Sequence, residues 1–195
     1  MQLTVNPAQR YAKMRSHTAT HLLHAILTHI FPDTKQAGSL VDNDLLRFDF
    51  YAERLLTPFE LTMIEKRLNQ MIYLACEVKV EEMSLDQASK LWAKMFFEEK
   101  YGDIVRVVQV INKALPTELQ QDNNAEYFSH FEDFLSLEFC GGTHVANTKE
   151  IGAFSIVSQE AVASGIKRIT ALTWPRVLEK IENLTSLLSN LTQLL

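Results

Sequence analysis

Ser16-His17-Thr18-Ala19-Thr20-His21-Leu22-Leu23-His24-Ala25-Ile26-Leu27-Thr28-His29-Ile30-Phe31 is the stretch on which the reading of this 195-residue chain turns. Ala19, Leu22, Leu23, Ile26, Leu27 and Ile30 recur at helical spacing, Ser16 can cap the start, and Pro32 stands just past the end. The pattern predicts a helix from about Ser16 to Phe31. On it, His17 and His21 are four residues apart and project from one face about one turn from each other, near enough to share an ion. His24 lies on the same face and competes with His17. We favour His17 because paired histidines at four-residue spacing recur in metal-binding helices.

A second pair stands far along the chain. Cys140-Gly141-Gly142-Thr143-His144 offers one sulfur and one imidazole, with glycines that free the backbone to bend between them. Neither pair specifies a metal alone, since a free cysteine is usually inert packing. Together His17, His21, Cys140 and His144 supply three imidazoles and a thiolate, a set suited to tetrahedral zinc. Four protein ligands fit a closed structural site, whereas three imidazoles fit a catalytic one, and both readings stay open. Zn²⁺ with one thiolate and three neutral imidazoles keeps a net positive charge, which would attract a hydroxide or a carbonyl oxygen. A zinc protease would need glutamate after the first histidine. Thr18 stands there, so that class loses its support.

Composition narrows the rest. The hydrophobic share is 47%, enough for a core of its own, and no apolar run approaches the roughly 20 residues that span a bilayer. The start, Met1-Gln2-Leu3-Thr4-Val5-Asn6-Pro7, does not read as a signal peptide, and Cys76 and Cys140 are too few for a disulfide framework, so a cytoplasmic protein without membrane contact is expected. A net charge of −5 argues against a generic nucleic-acid binder but not against a local basic patch.

Working outward, Ala37–Val41 and Leu45–Tyr51 read as a hairpin turned by Asp42-Asn43-Asp44. Thr57-Pro58-Phe59-Glu60 is a capping box opening a second helix. Strands are expected over Cys76–Met83, Asp103–Ile111, Ala153–Gln159 and Lys167–Leu172, and a short helix over Ser84–Trp92. Lys113–Glu126 reads as a polar loop. From Trp174, the residues Val177, Ile181, Leu184, Leu188, Leu191 and Leu195 form a heptad seam. It fits a helix docked on its own domain, a coiled coil with a second copy, or a helix between domains. The fold expected is α+β: an antiparallel sheet packed against helices, a zinc site in a cleft, and a C-terminal helix.

His17-Thr18-Ala19-Thr20-His21-Leu22-Leu23-His24 with Cys140-Gly141-Gly142-Thr143-His144-Val145 closely resembles the editing domain of alanyl-tRNA synthetase and its free-standing AlaX-type relatives. The resemblance continues through Gln36-Ala37-Gly38-Ser39-Leu40-Val41, Leu46-Arg47-Phe48-Asp49-Phe50, Glu99-Lys100-Tyr101-Gly102-Asp103-Ile104-Val105-Arg106, Gly152-Ala153-Phe154-Ser155-Ile156-Val157 and Gly165-Ile166-Lys167-Arg168-Ile169. It spans about Arg15 to Leu172. The related threonyl-tRNA synthetase editing domain has a different cysteine loop, so Cys-Gly-Gly-Thr-His points to the alanine branch. Glu98, where synthetases usually have glycine, departs from the pattern in a loop and not at a ligand.

The resemblance implies a hydrolase that removes serine or glycine from mischarged tRNA(Ala). It assigns Zn²⁺ to His17, His21, Cys140 and His144, and Gln36 to the pocket lining. Thr18 and Thr20 flank the ligands and are candidates to face the pocket, against the alternative of hydroxyls bonded back to their own helix. Lys167 and Arg168 are the candidate tRNA backbone contacts, one on each strand face. Asp49 and Asp103 are carboxylates able to orient a histidine, although ordinary strand-end roles fit them better. The division expected is an editing domain over 1–172 and a heptad-patterned helix over 173–195, a linker to a further domain or an oligomerisation helix. The chain has no room for an aminoacylation domain, so it is not expected to charge tRNA by itself, and its heptad tail resembles the linker helix that precedes the C-terminal domain in full synthetases, which favours an excised domain over a free-standing editor. The competing class is a non-catalytic, zinc-stabilised module that binds tRNA or protein.

Overall fold

The computed structural model describes residues 3–91, 93, 102–113 and 134–193. Its elements in chain order are α1 (Pro7–Ile30), β1 (Gln36–Asp42), β2 (Leu45–Tyr51), α2 (Pro58–Tyr73), β3 (Val78–Ser84), α3 (Leu85–Lys90), β4 (Ile104–Ile111), β5 (Phe134–Phe139), a short 3₁₀ turn (Thr148–Ile151), β6 (Phe154–Ala163), β7 (Ile166–Thr173) and α4 (Arg176–Thr192). Most of the expected polar loop, the end of the short helix at Trp92 and the Glu99-Lys100-Tyr101 segment lie outside the described residues.

Helix α1 begins well before Ser16. The Asn6 side chain accepts a hydrogen bond from the Gln9 N–H at 3.2 Å, and Pro7 fills the first turn, so the start is specified by a cap and a proline. Every residue from Pro7 to Tyr11 is exposed, so no apolar stripe signalled these turns. Ser16 is an interior residue of the helix, fully buried, with its Oγ 3.2 Å from Thr173 Oγ1.

The anticipated antiparallel sheet is two. One has the order β1-β2-β7-β6, the other β3-β4-β5, and all pairings are antiparallel. The split follows from β4, which is apolar on both faces. Val108 and Val110 enter the main core, while Val105 and Val107 pack with Ala88 of α3 on the other side. Helix α1 packs against β1, β2 and β7 of the first sheet, β5 of the second, and α2. Leu22, Leu23, Ile26 and Leu27 thus meet Phe48, Phe50, Leu68 and Met71 in one core.

Local chemistry fixes the remaining pieces. Asp44 turns the β1–β2 hairpin at φ +52°, and Arg15 of α1 donates two hydrogen bonds to its Oδ1, at 2.8 and 2.6 Å. Thr57 and Glu60 form the expected capping box on α2. Helix α4 is held at its start by buried Val177 and by Lys180, whose Nζ donates to Ser155 Oγ at 2.7 Å and Ile156 O at 2.9 Å. Beyond that it stands away. Ile181, Leu184, Leu188 and Leu191 are 51–65% exposed, so this part of the seam is not packed on the described residues of its own domain. No helix among the described residues is long and apolar enough to cross a membrane.

Candidate metal centre

Two elements deliver the four ligands. Helix α1 presents His17 and His21 one turn apart, and the loop leaving β5 presents Cys140 and His144. One ligand atom from each lies within 4.8 Å of all the others. Cys140 Sγ is 3.4 Å from His17 Nε2 and 3.4 Å from His144 Nε2. A tetrahedral zinc with the usual Zn–S and Zn–N lengths would place sulfur and nitrogen about 3.5 Å apart. The donor spacing therefore fits such an ion.

The glycines of the loop act differently from the expectation. Neither Gly141 nor Gly142 has positive φ. Gly142 is needed for space, because a Cβ there would sit 2.5 Å from His17 Nδ1 and closer still to the ring's Cε1. Its N–H also points at the ligand sulfur, 3.4 Å away. Gly141 has nothing within 4 Å of its Cβ position.

His21, His24 and His144 each meet a further polar group. Glu138, 1% exposed and two residues before Cys140, sets Oε2 2.9 Å from His21 Nδ1 and Oε1 2.9 Å from His24 Nδ1. A proton on His21 Nδ1 directed at this carboxylate leaves Nε2 for the ligand cluster. His24 is thereby placed on Glu138 and outside the four-residue cluster. Thr18 Oγ1 lies 3.1 Å from His144 Nδ1 and accepts the Val145 N–H at 3.3 Å, which orients His144 in the same way.

The electrostatics show a place built for positive charge. Burial works against the His21 imidazolium, but Glu138 and Cys140 outweigh it and push its pKa up to about 10. Burial likewise opposes the Cys140 thiolate, yet hydrogen bonding to His144, His17 and His21 brings its pKa down to about 3. The Glu138 carboxyl, despite burial, is held well below its usual range by the charge of His21 and bonds to His21 and His24. His144 is pushed down to about 4, chiefly by burial, so it stays neutral. The Cys140 thiolate and neutral His144 are thus already in ligating states, whereas His21 carries a second proton that a divalent ion would have to displace.

Three of the four, His17, His21 and Cys140, line a cavity of about 460 Å³ between α1, β1, β2 and β4–β5, with His144 behind them. Gln36 and Thr20 line it, as the sequence suggested, and Ser39 and Arg106 join them. Gln36 Nε2 donates to Ser39 Oγ at 3.3 Å. The Thr20 hydroxyl donates back to Ser16 O at 2.8 Å, so this threonine shows the cavity a satisfied group. Thr18 does not reach the wall.

The two expected tRNA contacts lie elsewhere. Arg168 donates to Asp49 Oδ1 and Oδ2, each at 2.7 Å, with Glu160 3.7 Å away. Asp49 is therefore a partner of arginine and not of a histidine. Lys167 pairs with Phe50 in the strand register on the opposite, core-facing side and is buried. The sequence reading missed Glu138 and Arg106. The one available signal for Glu138 was a lone carboxylate inside Phe134-Leu135-Ser136-Leu137-Glu138-Phe139, an apolar strand leading straight to a ligand.

The fold thus sets a His/Cys group able to hold a metal beside a cavity between two antiparallel sheets, and comparison with known proteins gives its relatives. Residues 105–170 match the threonyl and alanyl tRNA synthetase second additional domain. The chain is 42% identical over 192 residues, 98% of its length, to the alanine–tRNA ligase of Thermoanaerobacter sp. (strain X514), covering 19% of that protein. It is 41% identical over 194 residues to that of Thermotoga maritima, covering 99% of the chain and 20% of the ligase. Against the alanine–tRNA ligase of Synechococcus sp. (strain RCC307) it is 45% identical over 175 residues, 89% of the chain and 17% of the ligase. These matches support an alanyl-tRNA synthetase editing-type domain. The chain spans about a fifth of the length of the curated relatives it matches.

Proposed function

We propose that this domain is a zinc-dependent editing hydrolase that deacylates Ser-tRNA(Ala) or Gly-tRNA(Ala). The observation that carries the reading is a three-imidazole, one-thiolate cluster beside a cavity within the usual size of small-molecule sites. The need for such an activity is chemical. A synthetic pocket shaped for alanine discriminates poorly against glycine and incompletely against serine, so a second site must remove the errors.

His17, His21, Cys140 and His144 would hold the zinc, with Glu138 and Thr18 fixing the ring orientations of His21 and His144. Bound there, zinc would supply Lewis-acid polarisation of an ester or amine group of the substrate. Gln36 and Ser39 offer an amide and a hydroxyl to the aminoacyl group, a pairing suited to a serine side chain. Thr20 presents its methyl group and limits the room beside the ligands. Arg168 belongs to this reading as a contact to the tRNA body outside the cavity, where it could take a phosphate beside Asp49, whereas Lys167, buried on the core-facing side, would support that strand from behind.

The test is deacylation of Ser-tRNA(Ala) and Gly-tRNA(Ala) by the zinc-loaded domain, alone and within a full-length synthetase. Release of the wrong amino acid, lost together with zinc in Cys140→Ala, is expected. Normal tRNA affinity with no release in either setting would favour instead a zinc-stabilised binding module, for which the saturated four-ligand set is the supporting feature.

A further inference from the structure

Arg106 is the only lysine or arginine among the described residues lining the cavity. It projects from β4, and its backbone carbonyl accepts the Cys140 N–H at 3.1 Å. Its guanidinium NH1 donates to the Cys140 carbonyl at 2.5 Å. The side chain is half-buried, and no ion pair joins it to a carboxylate among the described residues, although Glu82 is its register neighbour on β3. The one carboxylate on the cavity wall, Glu138, is already engaged by His21 and His24. An arginine has five N–H donors, and a single carbonyl uses one. Arg106 thus brings to the rim of a ligand site a positive charge that no carboxylate among the described residues pairs with, and donors to spare, in an otherwise acidic chain.

We propose that Arg106 is the phosphate anchor of the cavity: it binds the 5′-phosphate of the terminal adenosine whose ribose carries the aminoacyl ester. This rests on the reading of the domain as an aminoacyl-tRNA hydrolase. A guanidinium matches a phosphate in bidentate geometry, better than it matches a neutral ester. The phosphate of the terminal nucleotide is also the anion of the substrate nearest the bond to be cut. Because Arg106 is clamped to the carbonyl of a ligand residue, an anchored phosphate would be held in fixed relation to the metal centre. The same clamp would let the cavity choose a nucleotide end over a free amino acid.

The experiment uses two non-hydrolysable probes, 3′-seryl-amino-3′-deoxyadenosine with and without a 5′-phosphate, titrated calorimetrically into the zinc-loaded domain and into Arg106→Gln and Arg106→Lys. Wild type should prefer the phosphorylated probe by about tenfold to a hundredfold. Arg106→Gln should lose that preference while keeping its affinity for the unphosphorylated probe and its zinc content, and Arg106→Lys should keep part of it. The preference is a ratio within one variant, so a general loss of stability does not imitate the result. A preference unchanged in Arg106→Gln, or equal loss of both probes, would overturn the assignment and leave the hydrolase reading standing. Binding of neither probe by the wild type would overturn both.

Discussion

Helices α1 and α4 advertise themselves in the sequence by the same kind of apolar periodicity, and the structure uses them in opposite ways. Helix α1 is enclosed by two sheets and α2, and its side chains Leu22, Leu23, Ile26 and Leu27 are 0–1% exposed. Helix α4 is tied down by Val177 and Lys180 alone, and its seam is exposed. Periodicity specifies a helix and a face. Whether that face is buried depends on surfaces contributed by distant segments, which for α1 are Phe48, Phe50 and Val108. The enclosed helix is also the one that carries His17 and His21, because a rigid, packed element holds ligands to the tolerance a metal demands.

The comparison breaks most directly under truncation of equivalent leucines. Leu23→Ala should destabilise the domain by about 2–5 kcal/mol in urea unfolding, because it leaves a cavity in a fully buried core. A cost near zero would mean that α1 is not enclosed as described. Next in size is the hold on the ligands. Glu138→Gln removes the negative charge that faces His21 and His24 and should weaken zinc binding by about 10–100-fold, read by competition with a chelating dye. Unchanged affinity would show that the carboxylate does not orient His21.

A smaller effect is expected at the α2 capping box. Glu60 is held down to about 2 by Arg54 and the Thr57 N–H. Its folded pKa lies below the ordinary value of 4.5, so its contribution is complete above about pH 4.5 and is lost as pH falls toward 2. Glu60→Gln should therefore cost about 1 kcal/mol at neutral pH, with the gap from wild type closing over that acidic window. A gap independent of pH would remove the charge from the explanation. The smallest change belongs to the other helix: Leu184→Ala should alter the stability of the isolated domain by no more than about 0.5 kcal/mol. A large loss would mean that α4 packs on something the present arrangement leaves out.

What was legible in the sequence follows the range of the interactions. The capping box of α2 and the β1–β2 hairpin depend on neighbours a few residues apart and were readable to within a residue or two. The ligand set was readable because histidine and cysteine carry their chemistry wherever the chain places them. The true start of α1 was not, since its opening turns are exposed and the Asn6-Pro7 signal is brief. Glu138 was hidden for a different reason. A carboxylate in a strand usually faces water, and only the register with Val108 turns this one toward α1. Arg168 shows the same effect of range: its cation is visible in sequence, whereas its partner Asp49 stands opposite on a strand more than a hundred residues earlier.

The central claim is that α1 and the loop after β5 close on one ion through His17, His21, Cys140 and His144. X-ray absorption at the zinc edge of the purified domain tests it most directly. The account predicts one zinc per chain, with a single sulfur at about 2.3 Å, nitrogen neighbours at about 2.0–2.1 Å, and loss of the sulfur shell in Cys140→Ala. A shell of oxygens without sulfur, or a spectrum unchanged by that substitution, would contradict it.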